Sequence, residues 1–588
     1  MSGAIDRRLH APEAPLPGAL SELTDRVVRK TRLWASERRD LHAELESHFR
    51  EGLIELAQEG HGFEDSVDIL RDGFGDPILA ARLIRRGKKR GRPMFWKVLM
   101  SALSVSIIAL AAGGGYAAYL ALGAPTPSVD YVAKINEPVQ AIPESERAWP
   151  LLRDILLEFR PSAEVGPNVE ARMPGPGDAE WPDAVQWVAS NRHLVPRIVE
   201  AAARPTHGFV YSNPESIEWL RSLHRVRGKS EEEIAAMGLG APEDPLVPPT
   251  VVIVLPQLSE LRSLGRFLVL DARERLSQGD FYAAWESLDA AHRLGAQLFG
   301  SPTLIEQLVG RALLDLSTAD MRRALYTVRD TLTPDQMRIV NRGHVMTIPL
   351  DTIKPSFEGE KLFFEDIVQY LFTDDGAGNG RLIPGQLAKI AWVLADGGAP
   401  DSPASDEFSG EAALFATAAV HADRRETVEK YYEVWDRMQE LLALPLYDAR
   451  RADAGRIIDS ELGSEVGARR FALIRKVIPN LTWADEAIRT ARMDQIATRA
   501  IVAMLQFRAV NGRWPDRLAE LVPDRLWEVP KDSYSGLNLR YVVRADGTPV
   551  LYSVGRNLID EVGSTAAIPA QHPGDRESTA DIVYWPAR

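Results

Sequence analysis

The chain has 588 residues, of which 45% are hydrophobic and 26% charged, with a formal net charge of −14 and no cysteine. That length exceeds what one hydrophobic core organises and predicts about three to five structural units. The acidic balance excludes a general nucleic-acid binder, which needs a basic face for phosphates, and the missing cysteines exclude disulfides, thiolate zinc sites, iron–sulfur clusters and cysteine nucleophiles.

Residues 1–18 carry Pro12, Pro15 and Pro17 and read as a flexible tail, with a helical cytoplasmic domain over 19–92. Within it, Leu41, Leu45, Phe49, Leu53 and Leu56 recur at three- and four-residue steps, so one helix face is apolar. Ser36 is the expected N-cap and Gly60 the expected stop. A second helix ends near Gly73 or Gly75, and Asp76 caps a third with Pro77 at its first position. Glu44, Leu45, His48, Gly60 and Gly75-Asp76-Pro77 resemble the HAAS-type helical domain of bacterial membrane proteins. The resemblance covers about 50 residues and implies an interaction or signalling module. It carries His48 over as a family position, where a single histidine beside an apolar face is ordinarily structural.

Residues 93–124 predict a transmembrane helix. Val98 to Val129 contains no charged residue over 32 positions, and about 20 apolar residues cross a bilayer core. The competing reading, a core helix of a soluble domain, is disfavoured because such helices rarely stay uncharged for so long. Arg82, Arg85, Arg86, Lys88, Lys89, Arg90, Arg92 and Lys97 precede the span, and Asp130, Glu137, Glu144 and Glu146 follow it. The positive-inside rule then places the N-terminus in the cytoplasm of a bacterium and the long remainder outside the inner membrane. "ALGA" at 121–124 faintly resembles a signal-peptidase site, but more than 90 residues precede the span, so an uncleaved anchor is expected. Ala109, Gly113, Ala117 and Ala121 give small-residue spacing that could pair two such helices as a homodimer.

Residues 130–490 predict a large helical extracytoplasmic domain broken by loops at 241–256 and 396–411. Leu261, Leu264, Leu268 and Ala272 line one helix face, and Phe281, Ala284, Trp285, Leu288 and Ala291 line the next, after Gly279-Asp280. This order is similar to one tetratricopeptide-type hairpin, but no second copy follows at a 34-residue period, so an ordinary antiparallel pair stands beside it. Further on, Asp375, Asn379 and Gly380 occupy positions 1, 5 and 6 of a loop that resembles a degraded EF-hand. Ala377 and Gln386 replace the oxygen ligand at 3 and the bidentate carboxylate at 12. A metal-free polar turn is therefore expected, with weak calcium binding through Asp374, Asp375 and Asn379 as the alternative.

Residues 491–588 predict a small α+β head. An amphipathic helix from Met493 ends at Gly512, and two short strands flank Asp546-Gly547, a strong hairpin signal. Asn511-Gly512, Trp514-Pro515, Leu521-Val522-Pro523, Val529-Pro530, Asp532, Tyr541, Ser553-Val554-Gly555 and Ala580-Asp581-Ile582 with Trp585 resemble the globular head of type II secretion major pseudopilins over about 95 residues. The head helix here is internal, which argues against polymerisation into a pilus shaft. The resemblance implies a calcium loop near the C-terminus, with Asn557, where an acid is usual, Asp560 and Asp581 as its candidate ligands.

No Gly-x-Ser-x-Gly elbow, phosphate-binding loop, dinucleotide fingerprint or HExxH zinc spacing occurs, so no catalytic residue and no cofactor other than weak calcium is expected. The sequence thus predicts a mainly α, single-pass membrane protein, a scaffold with the lipid bilayer and protein partners on both of its sides, linked to secretion or envelope assembly. The alternatives are an extracytoplasmic hydrolase with an acidic helical cleft and a calcium-responsive membrane sensor.

Overall fold

The computed structural model describes residues 15–89, 94–166, 168–237, 245–253, 255, 257–394, 410–463, 469–477, 481–564 and 581–587. The tail through residue 14 and most of the 396–411 break lie outside them. The chain is mainly helical with one small three-stranded sheet, and it divides into two compact units, Met1–Tyr116 and Ala117–Arg588.

In the first unit, helices Gly18–Thr31, Ala35–Gln58, Phe63–Gly73 and Pro77–Lys89 surround a core of Leu20, Leu23, Phe49 and Leu53, with Val67, Leu70 and Phe74 half-buried against it. The first of these helices is not anticipated by the sequence reading, yet it supplies much of that core. The second begins one residue before Ser36. Its N-cap is Trp34, whose N–H donates to the Glu37 carboxylate at 3.1 Å, so Ser36 sits inside the first turn. Gly60 ends it with φ +93°, a left-handed conformation that a side chain disfavours. Asp76 accepts from the Ile78 N–H at 2.8 Å, and Pro77 opens the fourth helix.

Helix Met94–Ala121 contains the apolar stretch. Its portion Val98–Ala121 is 24 residues long with mean hydropathy 1.9, and apart from its last turn, where Leu120 is buried, it lies exposed, so it is long and apolar enough to cross a membrane.

The second unit is rooted on the end of this helix. Leu120 is buried among Phe364, Ile367, Leu371, Phe372 and Leu382. The Ser128 and Val129 N–H groups donate to Gln369 Oε1 at 3.1 and 3.2 Å, and Gln369 Nε2 donates to the Val129 carbonyl at 2.9 Å. Four long helices, Gln257–Ser277, Phe281–Gln297, Leu304–Val328 and Leu481–Asn511, form the central bundle. Asp280 caps the second of them by accepting from the Ala283 N–H, just after the turn at Gly279. Gly295 and Gly310 let two of these helices approach closely, because a Cβ on Gly310 would lie 2.6 Å from the Gly295 carbonyl oxygen.

Residues 130–490 and 491–588 share this unit. Helix Leu481–Asn511 runs through the expected boundary, beginning 12 residues before Met493. Its Met493, Ala497, Ile501 and Met504 enter one core with Trp285, Met321, Leu551 and Trp585. Strands β1 (Arg540–Val543), β2 (Pro549–Ser553) and β3 (Ile582–Trp585) form an antiparallel sheet in that order. β1 and β2 meet at the Asp546-Gly547 turn, where Asp546 accepts from the Thr548 N–H and Gly547 has φ +81°. β2 is buried along its whole length because β3 covers its second edge.

Candidate interaction groove

Helix Leu481–Asn511 places Arg489, Arg492, Ile496 and Arg499 at steps of three and four, so they share one face. That face forms one wall of a groove of about 560 Å³. Ala443–Tyr447 and Leu350 supply a second wall, and the segment Leu526–Gly536 the third. The third wall is fixed from behind by the buried Asp532. Its Oδ1 accepts from the Tyr534 N–H at 2.9 Å and from Ser553 Oγ at 2.8 Å, and its Oδ2 accepts from the Val554 N–H at 3.1 Å. Gly536, with φ +71°, lies against the Tyr447 ring so closely that a Cβ would come within 2.3 Å of it.

Four cations and two carboxylates line this groove, in a protein of net charge −14. Arg489 is committed to Asp485 at 2.8 Å and to the Leu442 carbonyl at 2.6 Å. Arg499 donates to the carbonyls of Val345 and Ile348 and meets no carboxylate, so burial lowers it from the ordinary arginine range. Among the described residues Arg492 and Lys531 make no side-chain hydrogen bond or ion pair. The acids do not neutralise them, because Asp532 spends its oxygens inside the head and Glu528 sits on the rim. Trp527 is 91% exposed and Tyr447 50% exposed beside these charges. The lining has one aliphatic hydroxyl, Ser533, beside the Tyr447 phenol, and no histidine among its residues to activate either. The chemistry on offer is recognition of negative charge next to apolar surface.

A second recess, about 580 Å³, has the opposite polarity and is lined by Asp280, Glu286, Asp289, Trp285, Tyr282 and Arg342. Asp289 is held by Arg293 at 2.7 Å and by the His344 N–H at 2.5 Å, while Asp280 is the helix cap. Glu286 is left as a single carboxylate, whereas acid–base hydrolysis needs two working groups.

Behind that recess a buried polar chain crosses the bundle. Gln495 Nε2 donates to Thr318 Oγ1 at 3.0 Å, so its Oε1 accepts from His292 Nε2 at 2.7 Å. With its proton on Nε2, neutral His292 offers Nδ1 as an acceptor, and His344 Nδ1 donates to it across 3.0 Å. Burial pushes His292 down to about 4. Burial together with His292 pushes His344 down to about 3. No local pattern signals this meeting, because 52 residues separate the two histidines.

The loop that resembles an EF-hand does bring Asp374, Asp375 and Asn379 together, but as acceptors for its own backbone. Asp375 Oδ1 accepts from the Ala377 and Asn379 N–H groups at 2.8 and 3.0 Å, and Oδ2 accepts from Asn379 Nδ2 at 2.9 Å. Asp374 accepts from the N–H groups of Gly376 and Gly378 and pairs with Arg424. These donors lower both carboxyls below the usual range.

The C-terminal candidates separate. Asp560 accepts from the Tyr552 hydroxyl at 2.8 Å and faces Arg540 at 3.3 Å. Asn557 Nδ2 donates at 2.7 Å to Glu561, which lies four residues on in the same loop and is not among the ligands expected from the sequence. Glu561 in turn faces the buried Asp581, and burial together with Glu561 raises Asp581 to about 6. Glu561 Oε2 and Asp581 Oδ1 are buried without a hydrogen-bond partner among the described residues. Among those residues no three His, Cys, Asp or Glu side chains gather in a metal-holding group.

No family model matches the chain, and neither a curated protein nor a solved structure matches it.

Proposed function

We propose that the chain is a single-pass protein of a bacterial inner membrane that works as an interaction scaffold. Its first unit lies in the cytoplasm and the second outside. The observation that carries this reading is the Val98–Ala121 helix, whose apolar surface from Val98 to Tyr116 is exposed and is not covered by the described residues. The run of cations before it and the acids after it support the orientation. The basic groove, equipped to bind and not to catalyse, supports the scaffold over the hydrolase. Affinity capture of the detergent-solubilised protein from its native membrane tests the reading. A partner recovered in stoichiometric amount is expected. Recovery of the bait alone, together with turnover by the purified protein, would reverse it.

A calcium-responsive role is the second reading, favoured by the Glu561–Asp581 pair. Two buried carboxyls with unpartnered oxygens take either a shared proton or a cation between them. A rise in unfolding temperature with calcium over chelator at neutral pH, lost in Asp581→Asn, tests it. An identical shift in that variant, or none in the parent, would remove it.

A further inference from the structure

We infer that the groove between helix Leu481–Asn511 and the head takes a short extended acidic segment of a partner protein, one that carries carboxylates on either side of a bulky apolar residue. The inference rests on the interaction reading above and specifies the chemistry of the partner.

The spacing of the wall sets the length. Arg489 to Arg499 spans ten residues of helix, about 15 Å at 1.5 Å each. An extended chain covers that in about four to five residues. The order of side chains sets the pattern. Arg489 and Arg492 stand at one end, Ile496 in the middle and Arg499 at the other end, with Lys531 contributed from the facing wall. An occupant therefore meets positive charge, then apolar surface, then positive charge. Trp527 and Tyr447 hold exposed rings over the same space, and rings of this kind bury large area at little entropic cost.

Charge decides the sign of the occupant. Arg492 and Lys531 have no internal partner among the described residues, and Arg499 is half-buried with only carbonyls for company. Arg492 and Lys531 are exposed, so with Arg499 they present positive charge that a carboxylate or phosphate meets in charge-assisted hydrogen bonds. Apolar side chains interleaved with the cations favour a peptide over a lipid headgroup, which would present phosphate alone to Ile496, Leu350 and Leu526. The wall that carries Lys531 is braced by the buried Asp532, so the groove is formed before the ligand arrives and little ordering cost falls on binding.

The test is fluorescence anisotropy with the full chain in detergent micelles and the fluorescein-labelled peptide GDEFLDEG. The amide peptide GNQFLNQG is the control. The acidic peptide is expected to bind saturably, to weaken as salt rises, and to exceed the amide control by about tenfold or more. The double variant Arg492→Glu/Lys531→Glu should lose that preference while its unfolding temperature stays unchanged, since neither side chain supports the fold. Equal binding of the two peptides, or full binding by the double variant, would overturn the inference. Displacement of the peptide by phosphatidylglycerol vesicles and not by phosphatidylcholine vesicles, with no preference between peptides, would overturn it in favour of a headgroup. If the charge-reversed chain still captures its partner from membranes, the groove assignment fails and the scaffold reading stands.

Discussion

The guanidinium of Arg381 stacks on the ring of Tyr119, 3.5 Å from its centroid, and Arg381 Nε donates to the Tyr119 carbonyl at 2.9 Å. The contact joins the polar turn at 373–383 to the last turn of the apolar helix, where Leu120 is already buried. Within the second unit the contact thus seats Tyr119 on that turn. Arg381→Ala should destabilise this seat by about 1 kcal/mol, and Arg381→Lys should not restore it, because an ammonium lacks the planar stacking face and the fork. Urea unfolding of the full chain in micelles, followed through the second unit's transition, measures both.

Gly380 has no room for a side chain. A Cβ there would sit 1.6 Å from the Thr373 carbonyl oxygen, within the turn that Asp374 and Asp375 tie down. Gly380→Ala should cost at least about 2 kcal/mol by forcing the turn open. Asp375→Asn keeps an acceptor for the Ala377 and Asn379 N–H groups and should move the midpoint less than Gly380→Ala does. The two midpoints in urea separate a backbone requirement from a charge requirement.

The His344–His292–Gln495–Thr318 chain needs a neutral His292, since a second proton on His292 would set two donors against each other. Both histidines have folded values depressed below 6.5, to about 3 and about 4. Their stabilising contribution is therefore complete above pH 6.5 and is lost as pH falls toward 4, when the unfolded chain takes protons that the folded one refuses. The loss is about 1.4 kcal/mol per pH unit for each proton. His344→Asn keeps a donor facing His292 and removes one titrating group, so its stability should fall less steeply between pH 6.5 and 4. Urea unfolding across that range checks the slope.

The Glu561–Asp581 pair has the opposite sign. Asp581 is raised from 3.8 to about 6, so the stability linked to its protonated form is full below pH 3.8 and is lost as pH rises through 6. Asp581→Asn should abolish that loss and leave the mutant more stable than the parent at pH 8 without calcium. A parent no less stable at pH 8 than the mutant would show that the pair carries no such penalty.

What the sequence made legible was local. The apolar run, the Gly60 stop, the Asp76-Pro77 start, the Gly279-Asp280 turn and the Asp546-Gly547 turn each depend on a few neighbouring residues, and each stands in the fold where the pattern put it. Ser36 failed as a cap because Glu37 reaches back to the Trp34 N–H, which places the cap two residues before the expected one. The groove was invisible because its walls come from 350, 443–447, 489–499 and 526–536, which only the tertiary fold assembles. The spacing of Arg489, Arg492 and Arg499 was there to be read, but an arginine stripe on a helix is usually a solvated face. The sequence boundary at 490/491 rested on a change of style in the chain. The continuous helix and the shared core around Met504 and Trp585 show that such a change need not separate two bodies.

The central claim is that lipid surrounds Val98–Ala121 and divides the chain between two aqueous compartments. The natural absence of cysteine makes a direct measurement clean. Asp40→Cys and Glu429→Cys place single thiols at exposed positions of the first and second units. In intact spheroplasts a membrane-impermeant maleimide should label the thiol at position 429 and spare the one at position 40, and permeabilisation should expose both. Equal labelling of the two thiols before permeabilisation, or labelling at position 40 alone, would contradict the account.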